Sequence, residues 1–278
     1  MKKINLLIFA VLFTTITFAQ KKEKVKGSKI VTIEKIEVSA FTELEIEDNL
    51  EVFLVKGDKN ALEIETDENL HTAINHQTYG NSLRLNTNKE ISGFKKLEIR
   101  VTYTDSLKLI SVKHEAKLNA VSDIVLKGIT IKTYDYSKTV ISANTPNFTL
   151  LANDKSKVEL NLKSEEAFIE MSKNAAIKAK ISSNKLKFDL YQKSEAVVEG
   201  NTNEMKLRLD SNATYEGKMM TSKTLDLTTE SNTKCSVYTN GNLAITATGK
   251  SEISVFGEPK IELKKFADQS ILYKKILK

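Results

Sequence analysis

The stretch that decides the fold reads FTLLANDKSKVELNLKSEE over 148–166, AFIEMSKNAAIKAKISSNK over 167–185 and LKFDLYQKSEAVVEGNTNE over 186–204. Each segment is 19 residues long, and each places apolar or small residues at the same positions. Positions 1, 3 and 5 hold Phe148, Leu150 and Ala152, then Ala167, Ile169 and Met171, then Leu186, Phe188 and Leu190. Positions 11, 13 and 15 hold Val158, Leu160 and Leu162, then Ile177, Ala179 and Ile181, then Ala196, Val198 and Gly200. Between the two sets, position 9 is small: Ser156, Ala175 and Ser194. Alternation on both sides of a turn means two half-buried strands per unit. Recurrence of the whole unit at a fixed interval means a solenoid.

Outward from this core the phrase opens at Ile129 and Met205 on the same interval, and less strictly at Leu225, Leu243 and Ile261. Leu225, Leu227, Cys235 and Val237 are displaced together by one residue. A linker of one extra residue does this without turning either inward face outward. Stacked coils set equivalent positions about 4.8 Å apart, so outward side chains should form ladders. Position 14 carries Lys180, Glu199 and Lys218, and at position 12 Glu159 neighbours Lys178. Such alternation of sign suits in-register parallel stacking, because like charges placed opposite one another repel. Leu150, Ile169, Phe188 and Leu207 are expected to form one buried column. An antiparallel sandwich would need hairpin signals, and Asn240-Gly241 is nearly alone. Pro146 and Pro259 fall in expected linkers, where no ladder donor is lost. The fold class is all-β: a parallel β-helix or solenoid with coils of about 19 residues and a less regular N-terminal part.

That N-terminal part suggests strands at 41–47, 50–55, 61–66, 82–87 and 97–103, with a short helix over 67–75 begun by Asp67. It reads as a cap or as first coils, since terminal repeats must shield an open end. At the far end, Ile271 and Tyr273 are expected to face inward in a truncated last coil. The division is 1–19 signal peptide, 20–40 basic leader segment, 41–105 cap or first coils, and 106–278 regular solenoid.

Lys2 and Lys3 precede an apolar run from Ile4 to Phe13, with cleavage expected after Ala19, so the chain is expected to be exported to the periplasm or cell surface. The run is too short for a permanent span. The single Cys235 excludes an intramolecular disulfide. Net charge is +6, yet 42 basic and 36 acidic residues interleave along the strands, so no nucleic-acid partner is expected.

Chemistry-bearing constellations are scarce. Asp154, Lys155, Lys173, Asn174, Gln192 and Lys193 fall near one turn edge, where a polysaccharide-acting lyase or hydrolase would assemble its site. Polar turn residues also recur for backbone reasons. His71, His76 and His114 do not make a ligand cluster. No phosphate-binding loop, G-x-S-x-G elbow or Cys-x-x-Cys occurs. No catalytic, cofactor-binding or metal-ligating residue is assigned, no cofactor is expected, and the ligand-binding residues stay unknown.

Phe41-Thr42-Glu43-Leu44-Glu45-Ile46, the Leu50–Gly57 strand, the segment Leu62 to Leu70 and the closing Ser254-Val255-Phe256-Gly257-Glu258-Pro259-Lys260 resemble the putative autotransporter adhesin head domain of the GIN type. That family is common among secreted proteins of Bacteroidetes-like bacteria. The resemblance spans roughly Phe41 to Lys260. It implies a right-handed parallel β-helix of the cell envelope and carries over no catalytic residues. Family turns are often glycine-rich, whereas here they read Tyr136-Ser137-Lys138, Lys155-Ser156-Lys157, Asn174-Ala175-Ala176 and Lys193-Ser194-Glu195. The expected function is adhesin-like and non-enzymatic: an envelope glycan or protein bound through the solvated solenoid faces. A polysaccharide-acting enzyme and a periplasmic spacer are the alternatives.

Overall fold

A computed structural model describes residues 22–277. The signal peptide, its cleavage site and the start of the basic leader lie outside these residues. The chain runs β1 (Lys24–Lys26), β2 (Val31–Glu37), β3 (Glu43–Ile46), β4 (Glu51–Lys56), β5 (Ala61–Asp67), a 3-10 turn (Glu68–Ala73), β6 (Ile74–Tyr79), β7 (Ser82–Thr87), β8 (Glu90–Ser92) and β9 (Leu97–Tyr103). It continues with β10 (Leu109–Val112), β11 (Lys117–Ala120) and β12 (Gly128–Thr133). Long strands follow: β13 (Lys138–Ala152), β14 (Lys157–Met171), β15 (Ala176–Leu190), β16 (Glu195–Leu209), β17 (Thr214–Thr229) and β18 (Lys234–Ala247). The last are β19 (Glu252–Phe256), β20 (Lys260–Phe266) and β21 (Ile271–Lys274).

From β10 onward every pairing is parallel, and the fold is a β-solenoid of about 9 turns. The 19-residue register holds from Ile129↔Phe148 through Ala167↔Leu186 to Leu186↔Met205. Leu150, Ile169, Phe188 and Leu207 stack directly over one another, each at most 1% exposed. The polar stretch after position 15 was expected as a linker. Instead the ladder continues around that corner, which is why β13 to β16 each run 15 residues. Hydroxyls turned inward there satisfy corner carbonyls: Thr145 donates to the Asn147 carbonyl and Thr202 to that of Glu204, both at 3.2 Å. Only position 18 drops out of the ladder, and Pro146 sits there, between Thr145↔Ser164 and Asn147↔Glu166. Asn240-Gly241 also lies inside this corner of β18 and makes no hairpin.

The opposite corner is a β-turn closed by the position 9 N–H donating to the position 6 carbonyl, as in Ser156 to Asn153 (3.3 Å) and Ser194 to Tyr191 (3.1 Å). Position 9 is fully buried in coil after coil: Ala116, Ser137, Ser156, Ala175, Ser194 and Ala213. Position 7 takes a positive φ at Asp48, His114, Asp135, Asp154, Lys173, Gln192, Ser211, Ser231 and Gly249. This explains the glycine-rich turns of the resemblance: the geometry is the one glycine adopts freely, and Asp and Asn tolerate it best among the rest.

The extra residue of the coil from Met205 is not in a linker. It lies inside the second strand, where the register slips from Val197↔Glu216 to Glu199↔Met219. Tyr215 turns its ring into the core between Ala196 and Cys235. The ring fills the space of any side chain at Gly217, whose Cβ would lie 2.2 Å from it. The chain bulges outward at Lys218 and returns with Met220 buried. Hence Met219, and not Lys218, partners Glu199, and the expected third charge of that ladder is absent. A second bulge, at Lys264, reverses the facing of the last coil: Leu272 aligns with the inward Ile253, while Ile271 and Tyr273 face out at 44% and 41% exposure.

The N-terminal region covers the solenoid's first turn. β3 and β4 pair on one side with β10 and β11, and on the other with β7 and β9. β5 joins β9, and β2 joins β5, both antiparallel. The expected strands appear, whereas the expected helix is a 3-10 turn and 74–79 is a strand. Asp67 begins that turn but does not cap it. Its buried carboxylate accepts the N–H groups of Lys29 (2.8 Å), Lys95 (3.0 Å) and Lys96 (3.2 Å), tying the N-terminal segment to the cap. Gly27 passes so close that a Cβ would lie 2.1 Å from the carboxylate.

Burial pushes the Asp67 carboxyl up, but the three N–H groups outweigh it and hold it below the ordinary carboxylate range. A depressed folded-state value gives stabilisation present above the unfolded value of about 3.9 and lost as pH falls through the folded one. Acidification below about pH 4 is therefore expected to release β2 before the solenoid opens. Hydrogen exchange of β2 amides, corrected for intrinsic rates, checks this. In Asp67→Asn the release should already be present at neutral pH.

Candidate functional site

The turn edge singled out from the sequence is assembled in part. Asp135, Tyr136, Asp154, Lys155, Lys173 and Asn174 line one shallow depression of about 420 Å³. Lys155 Nζ donates to the Tyr136 hydroxyl at 2.8 Å and lies 4.9 Å from its ring centroid. Lys173 Nζ is 3.6 Å from Asp154 Oδ1. Gln192 and Lys193 belong to the next turn, where their backbone serves the stack: the Gln192 carbonyl accepts from Asn174 and the Lys193 N–H donates to Ser211. Asp135 accepts the His114 N–H at 2.9 Å. Most polar groups on this edge thus have a partner that holds a turn.

The histidines are dispersed. His71 Nε2 is 2.9 Å from Thr32 Oγ1, and its Nδ1 lies 3.2 Å from Glu34 Oε2, off the hydrogen-bonding direction. His114 accepts the Asp48 N–H one coil away. Among the described residues no group of three or more His, Cys, Asp or Glu could hold a metal ion. Burial pushes the Cys235 thiol up to about 12, so it stays protonated as a core side chain.

Over the coils from Phe148 to Met205 the two sheet faces differ in how their charges are used, whereas towards the ends the second-strand face also carries ion pairs, as in Lys117–Glu51 and Lys234–Glu252. On the first-strand face Lys185 pairs with Glu166 (3.1 Å), Lys187 with Asp189 (3.1 Å) and Arg208 with Glu230 (3.2 Å), and Lys187 lies over Phe168. On the second-strand face Glu159, Lys178, Lys180, Glu199 and Glu216 make no ion pair within 4.0 Å among the described residues, although Glu159↔Lys178 and Lys180↔Glu199 are ladder neighbours. Among these charges stand exposed apolar side chains: Val140 (45%), Val197 (48%) and Met219 (58%). Together they line a groove of about 610 Å³ across the coils from Ile129 to Met205. Exposed apolar side chains thus lie beside charges that have no ion-pair partner among the described residues. Val140 and Val197 were readable as apolar residues at an outward position. Met219 was not, because the bulge turns it outward.

A family model described as "Putative auto-transporter adhesin, head GIN domain" matches residues 40–259. Solved structures share the architecture. A putative adhesin from Parabacteroides merdae aligns over 92% of this chain and 100% of its own at 18% identity, with a TM-score of 0.61. A putative adhesin from Parabacteroides distasonis aligns over 91% and 100% at 18% identity, with a TM-score of 0.65. A putative lipid binding protein from Parabacteroides distasonis aligns over 92% and 100% at 15% identity, with a TM-score of 0.55. At these identities the likeness is one of fold. No curated protein matches the sequence. Among the described residues no helix is long and apolar enough to cross a membrane.

Proposed function

This chain belongs to the family described as "Putative auto-transporter adhesin, head GIN domain", and we propose on that premise that it is an exported, non-catalytic envelope protein holding a glycan or protein partner on its second-strand face. The observation that carries the reading is the groove around Val140, Val197 and Met219, where apolar side chains lie open between charges the fold leaves unpaired. Covering the half-exposed surface of one such side chain is worth about 1 kcal/mol, or roughly fivefold in affinity.

Capture from envelope extracts, together with a glycan array, tests this. Val197→Lys and Met219→Lys each lose that apolar contact and place an ammonium under the partner, and are expected to reduce retention at least about tenfold, while Thr149→Lys on the first-strand face leaves it unchanged. Retention that ignores both groove variants would refute the assignment. Protease accessibility on whole cells separates a surface site from a periplasmic one. Product release from a uronate polymer, abolished by Lys173→Ala, would instead make the turn edge an enzyme's.

A further inference from the structure

Position 10 of the coils carries a feature the groove does not explain. Lys117, Lys138 and Lys157 stand directly above one another in the parallel ladder. No other outward position places like charges on three successive coils among the described ladders. All three are exposed. Lys117 is answered by Glu51 at 3.5 Å, but Lys138 and Lys157 make no ion pair within 4.0 Å among the described residues. Like charges at ladder spacing destabilise a sheet, so this stack works against the fold that holds it. Local conflicts of this kind mark functional surface. The acids nearby do not relieve it. Glu159, two residues on from Lys157 on the same face, and Glu115, exposed on the adjoining turn, make no ion pair within 4.0 Å among the described residues, and Asp135 is engaged by the His114 N–H.

We propose that this lysine file binds a linear polyanionic glycan lying along the solenoid axis, with one carboxylate per sugar facing one lysine per coil. The file spans two coil steps, roughly 10 Å, and the flat strand face beside it sets no barrier to an extended chain. Rings of an acidic polysaccharide place charges singly and at a regular interval, which suits a file better than a cluster. The site is distinct from the apolar groove and goes beyond the reading above.

Affinity electrophoresis in polygalacturonate, with neutral dextran as the reference, tests the proposal. The wild-type chain should be retarded by the polyuronate alone, and less so as salt rises. Lys138→Gln with Lys157→Gln should lose at least tenfold in affinity while the melting temperature stays equal or rises, because a repulsion has been removed. Lys206→Gln with Lys223→Gln, an equal charge loss elsewhere, should bind as wild type. Unchanged retardation of the first double variant, an equal loss in the second, or equal binding of a single-stranded oligonucleotide would each overturn the proposal. Val197→Lys should keep polyuronate binding, so failure here and failure of the groove are separable.

Discussion

Ile169→Asp is expected to leave no folded solenoid. Ile169 is 0% exposed, with Leu150 below it and Phe188 above. Truncating a buried isoleucine costs about 2–5 kcal/mol, and an uncompensated buried carboxylate adds several more. Against a total stability of roughly 5–15 kcal/mol, that removes most or all of the margin. In a stacked repeat each coil is held only by its neighbours, so one failed layer breaks two interfaces at once. Far-UV circular dichroism and a urea titration should show a chain without a cooperative transition. Lys206→Ser, on an outward position of the same strand system, should stay within about 0.5 kcal/mol of wild type. A cooperative unfolding curve for Ile169→Asp would mean that residues 19 apart do not share a dry interior.

Gly200→Ala should be the most damaging single methyl group on the corner. Gly200 has φ +120°, a region L-residues rarely enter, and a Cβ there would lie 1.9 Å from the Ile181 carbonyl oxygen of the coil beneath. That oxygen is backbone, so relief requires the two coils to separate. The conformational term alone is about 1–3 kcal/mol, with lost ladder contacts to add. Gly80→Ala is the control: its φ is +57° and nothing lies within 4 Å of the added carbon, leaving only the left-handed cost of about 1–2 kcal/mol. Thermal melts should place Gly200→Ala well below Gly80→Ala. Equal shifts would show that contact with Ile181 plays no part.

Much of the fold was legible because parallel stacking turns a one-dimensional spacing into a three-dimensional contact. Once Phe148, Ala167 and Leu186 are seen 19 apart with matching alternation, register, inward face and small position 9 follow together. Where the spacing failed, the cause was local and steric. The Tyr215 ring lies over Gly217, and the bulge that follows removes Lys218 from its expected ladder and exposes Met219. The bulge at Lys264 likewise exchanges the facing of Ile271 and Leu272. Alternation revealed the one-residue displacement at Leu225, but not that the extra residue lies inside the second strand instead of a linker.

The candidate site was less legible than the fold. Val140 and Val197 stand at an outward position of the alternation, but their meaning depends on which charges around them find partners. The same interleaved lysines and glutamates are paired across Glu166–Lys185 on one face and unpaired around Lys178 and Lys180 on the other. In the cap, Asp67 reads as a helix-starting residue, while its partners Lys29, Lys95 and Lys96 are brought to it from segments 28–38 residues away.

The sequence by itself determined the solenoid, its period, its buried columns and its family, because those depend on a pattern repeated often enough to outweigh local exceptions. Only the tertiary structure decided where that pattern bulges, how the first coil is covered, and which charged face stays open. Those outcomes depend on the room beside a particular ring or carboxylate, and that room is fixed by chain segments far apart in the sequence.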